Sequence, residues 1–319
     1  MNIYTDIALE IAQSLGDTEG IKMDTREMPE AQLSISRVVV ENNEAAQRLG
    51  KPQGTYITLE SPLLRENLAD VHEIIIKELA ANISAIHDID KDSSILVIGL
   101  GNWNITPDAL GPKVVSKLLV TRHLVDTTAI DPLIEHAVRP VAAISPGVMG
   151  ITGIETGEIV LGLVERIRPG LVIAVDALAA RSIRRINSSI QISDTGINPG
   201  AGMGNKRMRI SHETLGIPVL ALGVPTVVDA ATLINDSLDS IIDTLSSDDS
   251  TDFYKSLQGL KNEDKYDMIK NSLAPYSGNM FVTPKEVDAV VERLSRIISN
   301  AINIALHPGI SAEDINKYF

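Results

Sequence analysis

The chain has 319 residues, enough for one large domain or two ordinary ones, and it contains no cysteine. That absence excludes disulfides, thiolate metal sites and catalysis by a cysteine nucleophile. A net charge of −14, from 28 basic and 42 acidic residues, disfavours direct binding to nucleic acid, whose phosphates it would repel. No segment approaches the roughly 18 apolar residues that span a bilayer, and the N-terminus lacks the basic flank and apolar run of a signal peptide. Composition therefore predicts a cytoplasmic protein that does not enter membranes.

Hydrophobic patterning predicts short strands at Ser34–Val40 and Thr55–Glu60, followed by a helix over Asn67–His87. From residue 95 the order strand, glycine-rich turn, helix repeats. The further predicted strands are Ile95–Ile98, Val141–Ile144, Leu171–Val175, Ser189–Ser193 and Pro218–Leu222, and the further helices are Pro107–Val125, Ile159–Ile167, Thr226–Leu245, Asp252–Leu273 and Pro284–Leu306. Apolar strands alternating with helices predict an α/β fold with a mostly parallel sheet sandwiched by helices. Without a clear linker, we expect a single domain over 1–319, with its core at 95–230 and a helical part at 231–319.

Two aspartates follow apolar strands and are the first candidates for catalysis. Asp108 lies in the segment GLGNWNITPDALGP (99–112), and Asp176 directly follows Leu171–Val175. Ligands bind at the carboxyl ends of strands in α/β sheets, and two carboxylates placed there can act as general acid and base. Asp108 has a structural alternative, because Thr106-Pro107-Asp108 is also a typical helix start.

Other segments carry weaker signals. GLGNWN (99–104) lacks the third glycine of a dinucleotide-binding turn, and PGAGMGNKR (199–207) lacks the ending of a phosphate-binding loop. No cofactor is therefore expected. The tripeptide Asp194-Thr195-Gly196 matches pepsin-like proteases, but those are all-β proteins, and a turn residue is the simpler interpretation of Asp194. The histidines show no metal-binding spacing, so no metal site is predicted.

Four long segments resemble the signature blocks of the spore germination protease family. They are GLGNWNITPDALGP (99–112), RPVAAISPGVMGITGIETGE (139–158), VIAVDALAARSIRRINSSIQISDTGINPGAGMGNKR (172–207) and LGIPVLALGVPTVVDA (215–230). This resemblance implies an atypical aspartic peptidase, an endopeptidase that degrades small acid-soluble spore proteins, with a fold similar to the hydrogenase-maturation endopeptidases. It also implies a homotetramer, made as a zymogen in the developing spore, with Asp108 and Asp176 as its essential aspartates. Since the maturation enzymes bind a metal, a metal-dependent peptidase is the alternative.

The resemblance extends to the N-terminus. The family cleaves after acidic residues, and TDIALE (5–10) is similar to such a site, which implies autoprocessing between Asp6 and Ile7 and a propeptide of residues 1–6. The signature blocks also contain Glu155, Asp194, Lys206 and Arg207, which we expect as residues that could line the cleft.

Overall fold

The computed structural model describes residues 5–87, 92–125, 138–200, 207–245, 262–277 and 280–310. Within these ranges, nine strands form one sheet: β1 Ile21–Met28, β2 Leu33–Val40, β3 Gly54–Glu60, β4 Ile95–Gly99, β5 Val141–Ile144, β6 Leu171–Ala180, β7 Ser189–Ser193, β8 Val219–Asp229 and β9 Phe281–Val282. The helices are α1 Ala8–Ser14, α2 Asn43–Leu49, α3 Ala69–Ile86, α4 Leu110–Val115, α5 Arg122–Val125, α6 Met149–Thr152, α7 Thr156–Ile167, α8 His212–Leu215, α9 Ala230–Leu245, α10 Asn262–Ser277 and α11 Val287–Leu306.

The sheet has the order β1-β2-β3-β7-β8-β6-β4-β5, with β9 paired to β8. Strands β8, β6, β4 and β5 are parallel, whereas β1, β2, β3 and β7 join in antiparallel pairs. The predicted parallel α/β sheet is confirmed for the half that carries the candidate site. The other half is antiparallel, a feature that the apolar runs did not reveal.

Helices cover both faces of the sheet, as predicted. On one face, α3, α4 and α11 pack against alternate strand residues such as Val97 and Ile173 in the largest apolar core. The opposite face holds two separate clusters. One contains Val172 and Ala174 under α7, and the other contains Leu178 with residues of α1 and α2. The continuous apolar run of β6 is typical of a strand buried on both faces.

Three predicted boundaries are corrected by the structure. Strand β6 continues to Ala180, so Asp176 lies within the strand and does not end it. Strand β8 likewise continues to Asp229, where a helix was predicted from Thr226. The single helix predicted over Pro107–Val125 is divided into a 3₁₀ turn at Thr106–Asp108 and the short helices α4 and α5. The predicted helix Asp252–Leu273 is described only from Asn262, as α10, and its earlier part lies outside the described residues.

Strand β1 and helix α1 were not predicted. Most residues of β1 are exposed, so its sequence lacks the alternation that marks a half-buried strand. None of the described helices combines the length and the hydrophobicity that a membrane-spanning helix requires.

Candidate active site

A cavity of about 680 Å³ opens beyond the end of β4, beside residues in the second half of β6 and next to β7 and β8. Both Asp108 and Asp176 line it. Along β6, side chains two residues apart lie on the same face. Val172 and Ala174 pack in one apolar cluster and Leu178 packs in the other, so Asp176 lies on the face between them. The cavity occupies this gap in the apolar covering of the sheet.

Asp176 is almost completely buried, with 5% of its surface exposed. Burial raises its pKa well above the ordinary value, and the nearby Asp108 carboxylate raises it further. The backbone N–H of Ala177 donates a hydrogen bond of 2.8 Å to Asp176 Oδ1, which opposes this rise without cancelling it. Asp176 therefore holds a proton to a higher pH than an ordinary aspartate.

Asp108 is less buried and is fixed by the turn that follows β4. The N–H of Asn102 donates to Asp108 Oδ2 at 2.8 Å and to the Asp108 carbonyl oxygen at 3.1 Å. Burial raises the pKa of Asp108, while the Asn102 N–H and the charge of Arg207 act in the opposite direction. Thr226 Oγ1 donates to the Pro107 carbonyl oxygen at 2.7 Å and ties the turn to β8. The turn is thus held on both sides of the carboxylate.

The glycines around this turn permit close backbone contacts. Gly101 has φ +109°, and a Cβ there would lie 2.0 Å from the Asp108 carbonyl oxygen. A Cβ on Gly111 would lie 2.3 Å from the Leu100 carbonyl oxygen and 2.5 Å from that of Val175. The glycines therefore let the Asp108 turn pack closely against β6. This packing accounts for the glycine-rich sequence, which needs no dinucleotide to explain it.

Arg207 also lines the cavity and lowers the pKa of both aspartates. Its Nε is buried, and no hydrogen-bond partner for it is found in the described part of the chain. A guanidinium beside two carboxylates favours their ionised forms and can also bind an oxygen that gains negative charge during a reaction.

Two of the other candidates, Glu155 and Asp194, are not among the described residues that line the cavity. Asp194 Oδ1 accepts the Thr55 N–H at 2.8 Å and joins β7 to β3, so the structural interpretation fits it. Glu155 precedes α7 and accepts a hydrogen bond from the Met208 N–H, which anchors the segment that carries Arg207. Lys206 lies outside the described residues.

Several cavity residues were missed in the sequence, including Lys51, Gln191 and Arg209. Gln191 offered a signal, because Ser189, Gln191 and Ser193 alternate with the core residues Ile190 and Ile192. A buried polar face on a strand needs hydrogen-bonding partners, and a site is one way to provide them. Lys51 follows a turn and shows no comparable pattern. Asp6, identified only as a processing position, also lines the cavity.

No group of three or more histidine, aspartate or glutamate side chains suited to hold a metal ion occurs among the described residues. The cavity holds a pair of aspartates with unequal exposure, and Arg207 influences both of them. Such a pair can hold one proton and one negative charge, as acid–base hydrolysis of an amide requires. The fold and the site thus define an α/β protein equipped for hydrolysis.

Comparison with known proteins agrees with this class. The sequence pattern of the germination protease family matches residues 2–257 and 243–319. Germination proteases of Clostridium perfringens and Caldanaerobacter subterraneus are each 46% identical to this chain, over 99% of it and over 99% and 98% of their own lengths. The germination protease of Bacillus subtilis is 40% identical, over 99% of this chain and 96% of its own length. The chain belongs to the germination protease family and is a peptidase.

Among solved structures, the [NiFe] hydrogenase maturation protease HycI of Thermococcus kodakarensis matches 66% of this chain and 92% of its own, with 16% identity and a TM-score of 0.32.

Proposed function

We propose that this protein is an endopeptidase that initiates the degradation of small acid-soluble spore proteins during spore germination, by aspartate-assisted attack of water. The observation that carries the proposal is the pair Asp108 and Asp176 in one cavity, one largely buried and the other more exposed. Membership of the germination protease family supports the choice of reaction and substrate.

The different environments of the two aspartates support a division of roles between them. Asp176 keeps its proton because burial and the neighbouring Asp108 raise its pKa well above the ordinary value. Asp108 is the better candidate for the ionised form, because the Asn102 N–H and Arg207 favour its negative charge. In the proposed mechanism Asp108 takes a proton from water as the water oxygen attacks the scissile carbonyl carbon. Asp176 then gives its proton to the leaving amine as the C–N bond breaks. The proton that Asp108 took from water passes to Asp176, which returns both aspartates to their starting protonation states. Arg207 stabilises the negative oxygen of the tetrahedral intermediate.

The N-terminal segment supports self-cleavage between Asp6 and Ile7. Asp6 lines the cavity, and its charge is among those that raise the pKa of Asp176, so the segment passes close to the proposed catalytic pair. We propose that the chain is made as a zymogen and removes residues 1–6 itself. We further propose that it acts as a homotetramer in the cytoplasm of the developing spore, and that it meets its substrates as free chains, without binding DNA, because of its acidic charge.

The test is incubation with a purified small acid-soluble spore protein, with the cut sites mapped by mass spectrometry. A cut on the carboxyl side of an acidic residue by the wild-type chain, and no cut by Asp108→Asn or Asp176→Asn, is the expected result. The wild-type protein is first shown to be folded and is incubated to allow self-processing. If it then left the spore protein uncleaved, the proposed substrate would be wrong.

A further inference from the structure

The last part of strand β6 does not pair with its neighbour β4. The pairing of β4 with β6 ends at Gly99 and Val175, whereas β6 continues to Ala180. Beyond this point the N-terminal segment lies along β6. The N–H of Asp6 donates to the Ala179 carbonyl oxygen at 3.0 Å, and the N–H of Ala179 donates to Asp6 Oδ2 at 2.9 Å. One backbone hydrogen bond and one hydrogen bond to the Asp6 carboxylate thus hold the N-terminal segment on this strand edge.

Gln191 holds the same segment from the side of β7. Its Nε2 donates to the Asp6 carbonyl oxygen at 3.2 Å, and its Oε1 accepts the Ala8 N–H at 2.7 Å. These two contacts bracket the bond between Asp6 and Ile7. Both are made with backbone atoms, so they do not depend on the side chains of the peptide.

Lys51 supplies a positive charge on this side of the cavity. It is partly buried and lines the cavity together with Asp6. Burial lowers the pKa of Lys51, and the Asp6 carboxylate is the largest influence that opposes the lowering. Arg209 lines the same cavity, and its Nη2 donates to the Thr195 carbonyl oxygen at 2.8 Å. Its buried Nε has no hydrogen-bond partner among the described residues. An acidic side chain at this position accepts the Ala179 N–H and shares the cavity with the cations Lys51 and Arg209.

We propose that Ala179, Gln191 and Lys51 form the subsite that binds the acidic residue on the N-terminal side of the cleaved bond, and that Asp6 occupies this subsite in the structure. Gln191 and the Ala179 carbonyl oxygen bind the peptide backbone at the strand edge. The Ala179 N–H binds the acidic side chain, and Lys51 selects its charge. The assignment rests on the proposed peptidase function and identifies the residues that set its preference. Lys51 is a specificity residue and takes no part in the proton transfers of Asp108 and Asp176.

The first test compares two peptides that differ only in Glu or Gln before the cut bond. We expect wild-type protein, allowed to process itself, to favour the Glu peptide by about 10- to 100-fold in kcat/KM, the range of a hydrogen bond to a charged group. Lys51→Met removes most of this preference by slowing the Glu peptide alone, and Lys51→Arg restores part of it. Lys22→Met is the matched control, because Lys22 is exposed and pairs with Glu41 at the surface. Gln191→Met lowers kcat/KM for both peptides by the same factor, because Gln191 contacts only the peptide backbone.

An unchanged preference in Lys51→Met, or an equal loss with both peptides, would overturn the assignment of Lys51. If wild-type protein cleaved neither peptide, the proposed function would fail instead, and a second measurement would still test the subsite. In an Asp108→Asn background, which prevents self-cleavage, Asp6→Asn and Lys51→Met are combined in a double-mutant cycle of unfolding midpoints. Non-additive shifts are expected because the two side chains interact, and additive shifts would show that Lys51 does not bind the acidic side chain.

Discussion

The carboxylate of Asp108 raises the pKa of Asp176 across the cavity that both residues line. This coupling joins a residue of the turn after β4 to a residue inside β6. Two carboxylates that influence each other and differ in exposure separate naturally into a proton donor and a proton acceptor.

Replacement of either aspartate by asparagine should remove activity and preserve the fold. Asp108→Asn removes the base, and Asp176→Asn removes the acid, so we expect each to lower kcat by about 10²- to 10⁴-fold, the usual contribution of general acid–base groups. An asparagine at 108 can still accept the Asn102 N–H through its amide oxygen. Activity is measured on a spore protein substrate, and folding by circular dichroism. Asp24→Asn, an exposed change on β1, is the control and should retain full activity. Substantial activity in one of the site variants would remove that residue from the pair.

The raised pKa of Asp176 should also make the free energy of unfolding depend on pH. The pKa of Asp176 is raised in the folded state, so its contribution to stability is fully present below the ordinary value of 3.8 and is lost as the pH rises through the folded-state value. Over that interval the folded protein holds one more proton than the unfolded chain. The free energy of unfolding of the wild type should therefore fall, relative to Asp176→Asn, by about 1.4 kcal/mol per pH unit. Denaturant unfolding of both proteins from pH 4 to 8 measures the difference, and curves that stay parallel would contradict it.

The sequence predicted the location of the two aspartates better than it predicted their surroundings. Asp108 and Asp176 follow apolar runs, and the carboxyl ends of parallel strands meet at one edge of the sheet, so their convergence follows from the pattern. The strand at Asp176 was predicted too short because an acid usually ends an apolar strand, while here the cavity beside it and the Ala177 N–H make a buried carboxyl tolerable. Lys51 and Gln191 come from the antiparallel half, and its position beside the parallel strands depends on long-range pairing that no local pattern encodes.

Gly101 should be required for activity because only a residue without a Cβ allows the backbone at 101 to approach Asp108 this closely. With φ +109° and a Cβ that would lie 2.0 Å from the Asp108 carbonyl oxygen, Gly101→Ala must displace the turn. We expect the unfolding midpoint to fall and kcat to fall by at least tenfold as Asp108 moves. Gly216→Ala is the control, since Gly216 also has positive φ, +71°, but a Cβ there meets no atom within 4 Å. It should lose stability by about 1–2 kcal/mol and retain kcat. Equal kcat in both variants would show that the close approach of Gly101 to Asp108 is unnecessary.

Chelation distinguishes the aspartate mechanism from that of a metal-dependent peptidase. If Asp108 and Asp176 activate water directly, dialysis against EDTA should leave the cleavage rate unchanged, and added Zn²⁺ or Ni²⁺ should not increase it. Cleavage of the spore protein is followed by gel electrophoresis, with a zinc peptidase treated in parallel as the control for chelation. Loss of activity with EDTA and recovery with one metal would instead support the metal-dependent alternative.

Self-cleavage should produce a chain that begins at Ile7. Asp6 lines the same cavity as Asp108 and Asp176, its carbonyl oxygen is held by Gln191, and the Ile7 N–H donates to Thr5 Oγ1 at 3.1 Å. Ile7 and Ala8 are fully buried under the sheet, so α1 should remain in place after the cut, while Thr5 loses its contact with Glu10. N-terminal sequencing of wild-type protein after incubation should give Ile-Ala-Leu-Glu, and Asp108→Asn should keep Met1 or its processed equivalent. Added wild-type protein tests whether the cut also occurs between molecules. An active chain that still begins at Met1 would show that removal of residues 1–6 is not needed for activity.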